Sequence, residues 1–242
     1  MYCLIKQHAG LGDILYTLKI ARTMIEQGYR VIWPVISQYT FISDYIKIEN
    51  LVFVDENKPF PYKDIYLRGL PVAPSEDFIF IPIQIADQVY PHLPILGSKY
   101  ALAGLDYKGW PDFVDIIRNK EKEETLYSEV LGLKDDEKYI FVNSIYGSPP
   151  NSKKLAGIDP NPEHKIVELF YIDGYNPFDW SLVLERASTI HTVDTCFICI
   201  LEILETKTTD WNMYSRRRYK DFLYQIQPYF TNLWNYLDLT RV

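Results

Sequence analysis

Two short stretches carry residues whose types and spacing could do chemistry. The first is HAGLGD, where Gly10 and Gly12 precede Asp13 between the apolar stretch YCLI and a helix-like run. A strand, glycine loop and helix in succession leave backbone N–H groups free at the helix start, which suits an anion or a closely approaching ligand. A carboxylate placed there has two readings. It is a helix cap, contributing about 1 kcal/mol, or a base directed at a substrate hydroxyl. Spacing alone leaves both open. The second stretch is HTVDTCFICILEI, where a strand-like segment ends in Asp194-Thr195 and a helix follows. The threonine hydroxyl and the first free N–H groups would cradle a diphosphate; the alternative is an N-cap and nothing more.

Other candidates are weaker. Cys196 and Cys199 form a C-x-x-C at a helix start, where a dipole lowers a thiol pKa. The residues between them are apolar and no second C-x-x-C completes a zinc site, so core packing is the better reading. Ser144 opens a polar, proline-rich loop that carries Lys153 and Lys154, which would neutralise a leaving diphosphate or stand solvated. Arg118, Arg186 and the run Arg216-Arg217-Arg218 are further cations of the same kind. His8, His92, His164 and His191 make no H-x-x-x-H pair. The glycine loop is not G-x-G-x-x-G, and neither G-x-S-x-G nor a Walker loop occurs, so dinucleotide, hydrolase and P-loop readings lose their usual support. There is also no D-x-D, one common way of holding a metal with a nucleotide sugar.

The chain that positions these residues has 242 of them, nearly half hydrophobic, enough for one large domain or two small ones. A formal net charge of -7 disfavours a general nucleic-acid role. Three cysteines give no disulfide framework and fit a reducing compartment. With no signal-like start and no run of about 18 apolar residues, a cytoplasmic protein without a transmembrane segment is expected, with peripheral membrane contact left open.

Strand-like and helix-like segments alternate. Residues 2–7, 30–36 and 51–54 read as strands, with helices at 14–27 and 38–47 between them. Residues 55–76 read as irregular, and 78–85 as a strand that Pro82 relegates to an edge or a bulge. A charged stretch ends at RNKEKEE, and a helix over 126–131 stops at Gly132. The pattern then restarts. Strands are expected at 139–143, 165–171, 189–193 and 211–214, and helices at 179–187 and 195–205. The aromatic-rich remainder reads as one or two helices. The order implies α/β architecture, with parallel sheets in two Rossmann-like halves, 1–125 and 126–242, facing across a cleft. Ligands of such sheets sit beyond the strand carboxyl ends, which singles out the loops 8–13, 144–157, 172–180 and 194–196.

Taken together, GLGDILYTLKIARTMIEQGYRVIW resembles the opening of the ADP-heptose–lipopolysaccharide heptosyltransferases, family nine of the glycosyltransferases. RASTIHTVDTCFICILEIL resembles the donor-binding segment of the same family, in the expected order and separation. The resemblance implies a two-domain GT-B fold with the acceptor side in the first domain and the nucleotide-sugar donor on the second. It places Asp13 as the general base. It sets Asp194, Thr195 and Cys196 in the donor-diphosphate loop, and Lys153 or Lys154 as a basic phosphate contact. Gly10, Gly12 and Ser144 belong to the substrate-binding loops, and Glu202 would touch ribose or base, its alternative being a solvated helix face. Two positions depart from the family pattern: its glycine after Asp-Ser/Thr is Cys196 here, and a histidine in the next turn is Cys199.

The implied activity is inverting glycosyl transfer, without cofactor or metal, from a nucleoside-diphosphate sugar to a hydroxyl of a glycan or glycolipid. A competing reading keeps the same halves as a non-catalytic nucleotide- or glycan-binding module. A nucleotide-sugar oxidoreductase is a third reading, and it lacks its glycine fingerprint.

Overall fold

Apolar β-branched runs build two separate parallel sheets, one in each of two compact units, Met1–Ile117 and Arg118–Val242. The computed structural model describes every residue except 70–72, 148–150, 161–163, 217–218 and 240–242. The division expected at 125/126 falls inside the π-helical turn Thr125–Val130, which with the helix Lys120–Glu124 belongs to the second unit.

The first unit runs β1 (Tyr2–Ile5), α1 (Leu11–Tyr16), α2 (Leu18–Glu26), β2 (Arg30–Val35), α3 (Ile42–Tyr45), β3 (Leu51–Asp55), α4 (Lys63–Arg68), β4 (Phe78–Ile81), α5 (Ala86–Val89) and α6 (Ile95–Leu102). Its four strands lie in the order β3-β2-β1-β4, with Cys3 level with Val31 and Ile79. Both faces are covered, as a parallel sheet requires. Leu4, Ile32, Phe78 and Phe80 pack with Tyr66 of α4 on one face. On the other, Tyr16 and Tyr100 meet edge to face at 5.1 Å, and Trp110 adds a third ring at 5.1 Å from Tyr16.

Three expectations are corrected here. The helix expected over 14–27 begins at Leu11 and is broken at Thr17, whose hydroxyl donates back to the Asp13 carbonyl at 2.7 Å. The strand expected over 78–85 stops at Ile81. Pro82 has no N–H to offer a ladder, and the chain turns into a 3₁₀ segment, Ile83–Ile85. β4 is an edge strand, where a proline is tolerated. The stretch read as irregular contains α4, and α6 follows Pro91 and Pro94.

The second unit runs α7 (Lys120–Glu124), β5 (Tyr139–Asn143), β6 (Ile145–Tyr146), β7 (Lys153–Lys154), β8 (Lys165–Glu168), α8 (Ser181–Arg186), β9 (Thr189–Val193), α9 (Cys196–Ile203), β10 (Trp211–Tyr214), α10 (Tyr219–Ile226) and β11 (Trp234–Leu237). The five-stranded sheet has the order β11-β10-β9-β5-β8, and β6 and β7 form a separate antiparallel hairpin. Phe141 of β5 packs against Trp180 at 6.0 Å and Phe197 of α9 at 5.9 Å, which fixes the helix-covered face. Where a helix would ordinarily return the chain from β5 to β8, the described residues form the hairpin and an irregular path. The strand expected over 165–171 ends at Glu168, and the aromatic tail expected as helix ends in β11. Trp234 packs on Trp211 at 5.0 Å, a cross-strand aromatic pair that outweighs any helical preference. Among the described residues, no helix is long and apolar enough to cross a membrane.

Candidate functional site

In the first unit the loop leaving β1 positions Asp13. Gly10 adopts φ 80°, a left-handed conformation that only glycine takes without penalty, and it stands at the N-cap of α1. Asp13 is therefore the third helical residue and not the N-cap. Its carboxylate folds back so closely over Gly10 that a Cβ there would lie 2.5 Å from Oδ2. An acidic group in the first turn still gains from the helix dipole.

The partner of Asp13 is Lys99 of α6, whose Nζ lies 3.4 Å from Oδ1; the lysine side chain is 6% exposed and the carboxylate 35%. Lys99 also donates to Gln7 Oε1 at 2.5 Å, and Gln7 Nε2 donates to the Ala9 carbonyl at 2.6 Å. The Gln7 carbonyl accepts from Trp33 Nε1 at 3.0 Å. A chain of polar contacts thus ties the glycine loop to a buried cation and leaves Asp13 at its solvent-facing end. Beside it, His8 Nδ1 lies 2.9 Å from Gln84 Oε1. Sequence reasoning did not find Lys99. The signal was present as a single cation within the otherwise apolar run ILGSKYAL, a helix with almost no polar face.

In the second unit the carboxyl ends of β5, β9 and β10 bring a second set together. Asn143, the last residue of β5, is fully buried. Its Nδ2 donates to Thr192 Oγ1 and to Thr195 Oγ1, both at 2.9 Å, while its Oδ1 accepts from the Ile145 N–H at 3.0 Å. Thr195 occupies the N-cap position of α9 but makes no side-chain cap bond, because its hydroxyl is taken up by Asn143. The Cys196 sulfur is met by its own N–H and that of Phe197. Burial outweighs those contacts and pushes the thiol up to about 12, so it stays neutral. Asp194 is ion-paired with Arg216, Nε to Oδ1 at 2.9 Å, and the guanidinium lies 5.7 Å from the centre of the Tyr146 ring. Ser144 is buried beside Asn143, and its carbonyl accepts from the Leu155 N–H at 2.8 Å.

The two lysines part company. In the hairpin Lys153 is level with Tyr146 and Lys154 with Ile145, so they point to opposite sides. Lys153 shares the side of Tyr146. Lys154 pairs with Glu168 at 3.0 Å. Glu202, expected at the ribose or on a solvated face, has partners within the second unit. It accepts from the Thr231 hydroxyl at 3.0 Å, the Thr231 N–H at 3.1 Å and Trp234 Nε1 at 2.7 Å, holding the approach to β11. Arg118 and Arg186 are also committed elsewhere, Arg118 to Glu123 and Glu185, Arg186 to Asp135. Arg217 and Arg218 lie outside the described residues. Cys199 is buried in the core, as its apolar neighbours indicate.

Among the described residues no group of three or more His, Cys, Asp or Glu side chains is arranged to hold a metal. A depression of about 420 Å³ lined by Ser43, Ile46, Leu51 and their neighbours opens at the amino end of β3, away from the strand ends that carry Asp13.

No model of a known protein family matches this sequence, and no curated protein matches it. Solved structures do match in fold. One is a family 9 glycosyltransferase from Veillonella parvula, at 10% identity over 99% of this chain and 86% of that one, with a TM-score of 0.52. Another is TibC from enterotoxigenic E. coli, a dodecameric iron-containing heptosyltransferase solved with ADP-D-beta-D-heptose. Its identity is 11% over 88% of this chain and 58% of that one, with a TM-score of 0.50. At such identities the likeness is one of fold, and the α/β fold of this chain is the one those glycosyltransferases use.

Proposed function

We propose that this protein transfers a sugar from a nucleoside-diphosphate sugar to a hydroxyl of a glycan or glycolipid acceptor. The observation that carries the reading is Asp13: a solvent-reaching carboxylate at the carboxyl end of β1, not in the N-cap position, and ion-paired to a buried lysine. It stands at the start of a chain that shares the fold of a family 9 glycosyltransferase over nearly its whole length.

We assign the acceptor to the first unit and the donor to the second. Asp13 takes the proton of the acceptor hydroxyl as that oxygen bonds to the anomeric carbon. The bond from that carbon to the diphosphate oxygen breaks, and the nucleoside diphosphate leaves with the electron pair. A single displacement inverts the anomeric centre. Carboxylate base catalysis of this kind supplies roughly 10²–10⁴-fold. Lys99 keeps Asp13 oriented. The charge growing on the diphosphate is met by cations at the carboxyl ends of the second sheet and by the start of α9. None of these steps calls for a metal.

One observation favours the second reading, a nucleotide- or glycan-binding module without catalysis. Cys196, which carries a side chain, is the first residue of α9, where the family pattern has glycine. Incubation with a panel of nucleotide sugars separates the two. Release of nucleoside diphosphate by the wild type but not by Asp13→Asn supports transfer, and binding without release by either supports the module.

A further inference from the structure

We propose that Arg216 is the side chain that grips the diphosphate, and that buried Asp194 serves to aim it. The inference rests on reading the second unit as the donor-holding one, and it replaces Lys153 or Lys154 as the principal phosphate contact.

Asp194 is the acidic residue of the donor-like segment, yet its side chain is 1% exposed and faces Arg216 at 2.9 Å. A buried carboxylate in a phosphate site would repel its ligand unless its charge is already matched. Here it faces the Arg216 guanidinium, whose Nε lies 2.9 Å from Oδ1. A guanidinium carries five N–H donors in a planar fork, more than one carboxylate oxygen can use, so a ligand can be met by the rest. The Arg216 side chain is 29% exposed, enough to reach a ligand and little enough to be fixed. Its second support is the Tyr146 ring at 5.7 Å, on a hairpin that emerges from the end of β5. Held by a carboxylate on one edge and an aromatic face beneath, the fork is ordered before any ligand arrives.

Its place fits the task. Arg216 follows β10, Asp194 follows β9 and Asn143 ends β5, three adjacent strands of one parallel sheet. Ligands of such sheets lie beyond these ends. Planar bidentate recognition of phosphate is a property of arginine that lysine lacks. Lys154 is drawn off to Glu168, and Lys153 lies across the hairpin from Tyr146. Arg216 is also the one basic residue of the run SRRR whose environment the described residues show.

The test is binding of ADP, GDP, UDP and CDP, each beside its nucleoside, to the full chain by calorimetry. Three variants are compared with the wild type after circular dichroism has shown them folded. Arg216→Gln removes the cation paired with Asp194. The double variant Asp194→Asn with Arg216→Gln removes both charges and keeps the pair neutral. Loss of one charge-assisted contact weakens binding of the diphosphate about 10–100-fold while leaving the nucleoside unaffected. Arg216→Lys restores charge without the fork and falls between. If the wild type binds a nucleoside diphosphate and the double variant binds it equally well, the assignment of Arg216 is wrong and the donor reading stands. If no diphosphate binds the wild type at all, the donor reading fails and takes this assignment with it.

Discussion

Lys99 Nζ lies 3.4 Å from Asp13 Oδ1, the lysine enclosed and the carboxylate reaching solvent. The pair joins α6 to the first turn of α1, so the orientation of the proposed base is set by a helix far away in sequence. Lys99→Met keeps the side-chain volume and removes the cation. It leaves Gln7 Oε1 without its donor, which costs about 1–2 kcal/mol of stability, while kcat for sugar transfer falls about 10-fold or more at little change in KM. Steady-state kinetics beside a urea titration separate the two effects; a loss of stability with kcat intact would reduce Lys99 to a structural role.

Gly10→Ala attacks the same geometry from the other side. The new Cβ would lie 2.5 Å from Asp13 Oδ2, at a backbone φ of 80°. The left-handed conformation alone costs an L residue about 1–2 kcal/mol. The carboxylate must also move, so activity should fall further than the shift in stability explains. An alanine variant with unchanged turnover would show that the carboxylate's position over Gly10 is unimportant.

Asn143 holds three groups at the end of β5, two of them threonine hydroxyls and one the N–H that starts the hairpin. Asn143→Ala leaves a buried and a half-buried threonine hydroxyl and a half-buried N–H without this partner. The expected loss is about 2–4 kcal/mol, read as a lower urea midpoint at unchanged m. A neutral result would mean that the threonines find other partners.

Part of this was legible in the sequence, and part was hidden for physical reasons. β1, β2, β3, β5, β9 and β10 are short apolar runs bounded by polar or glycine residues, and each lies within a residue or two of its expected span. α6 was hidden because two prolines precede it and read as breakers, although a proline before the first turn is where a helix accepts one. β11 was hidden because NLWNYL suits a helix as well as a strand, and only Trp211 across the ladder decides. At the site, Asp13, Asp194, Thr195 and Ser144 were visible as residues next to strand ends. Arg216 was visible only as one cation of a basic run, while Lys99 and Asn143 complete the clusters through contacts 92 and 49 positions apart, and no local pattern encodes such distances.

Glu202→Ala distinguishes a structural carboxylate from a ligand contact. Its bonds to Thr231 and Trp234 secure the approach to β11, so hydrogen-exchange protection of that strand should drop and stability should fall by about 1–3 kcal/mol. Nucleoside-diphosphate affinity should stay as in the wild type; a large loss of affinity in a folded variant would return Glu202 to the ligand.

Alkaline stability follows from two thiols. Burial pushes Cys3 and Cys196 from 9.0 up to about 12 in the folded chain. Between those values the unfolded thiol releases its proton and the folded one keeps it. The stabilisation is therefore whole below pH 9 and is lost as pH rises toward 12, at up to about 1.4 kcal/mol per pH unit for each thiol. Urea titrations at pH 9 and pH 10 should show a steeper fall in the wild type than in Cys3→Ala; equal slopes would contradict the burial argument for Cys3.

The central claim is tested most directly by following nucleoside-diphosphate release from nucleotide sugars, with a glycan or glycolipid acceptor panel, for the wild type and Asp13→Asn side by side. The account predicts release by the wild type and a fall of about 10²–10⁴-fold in the variant, with nucleotide-sugar binding retained. Equal rates in the two proteins, or a wild type that binds no nucleotide sugar, would contradict it.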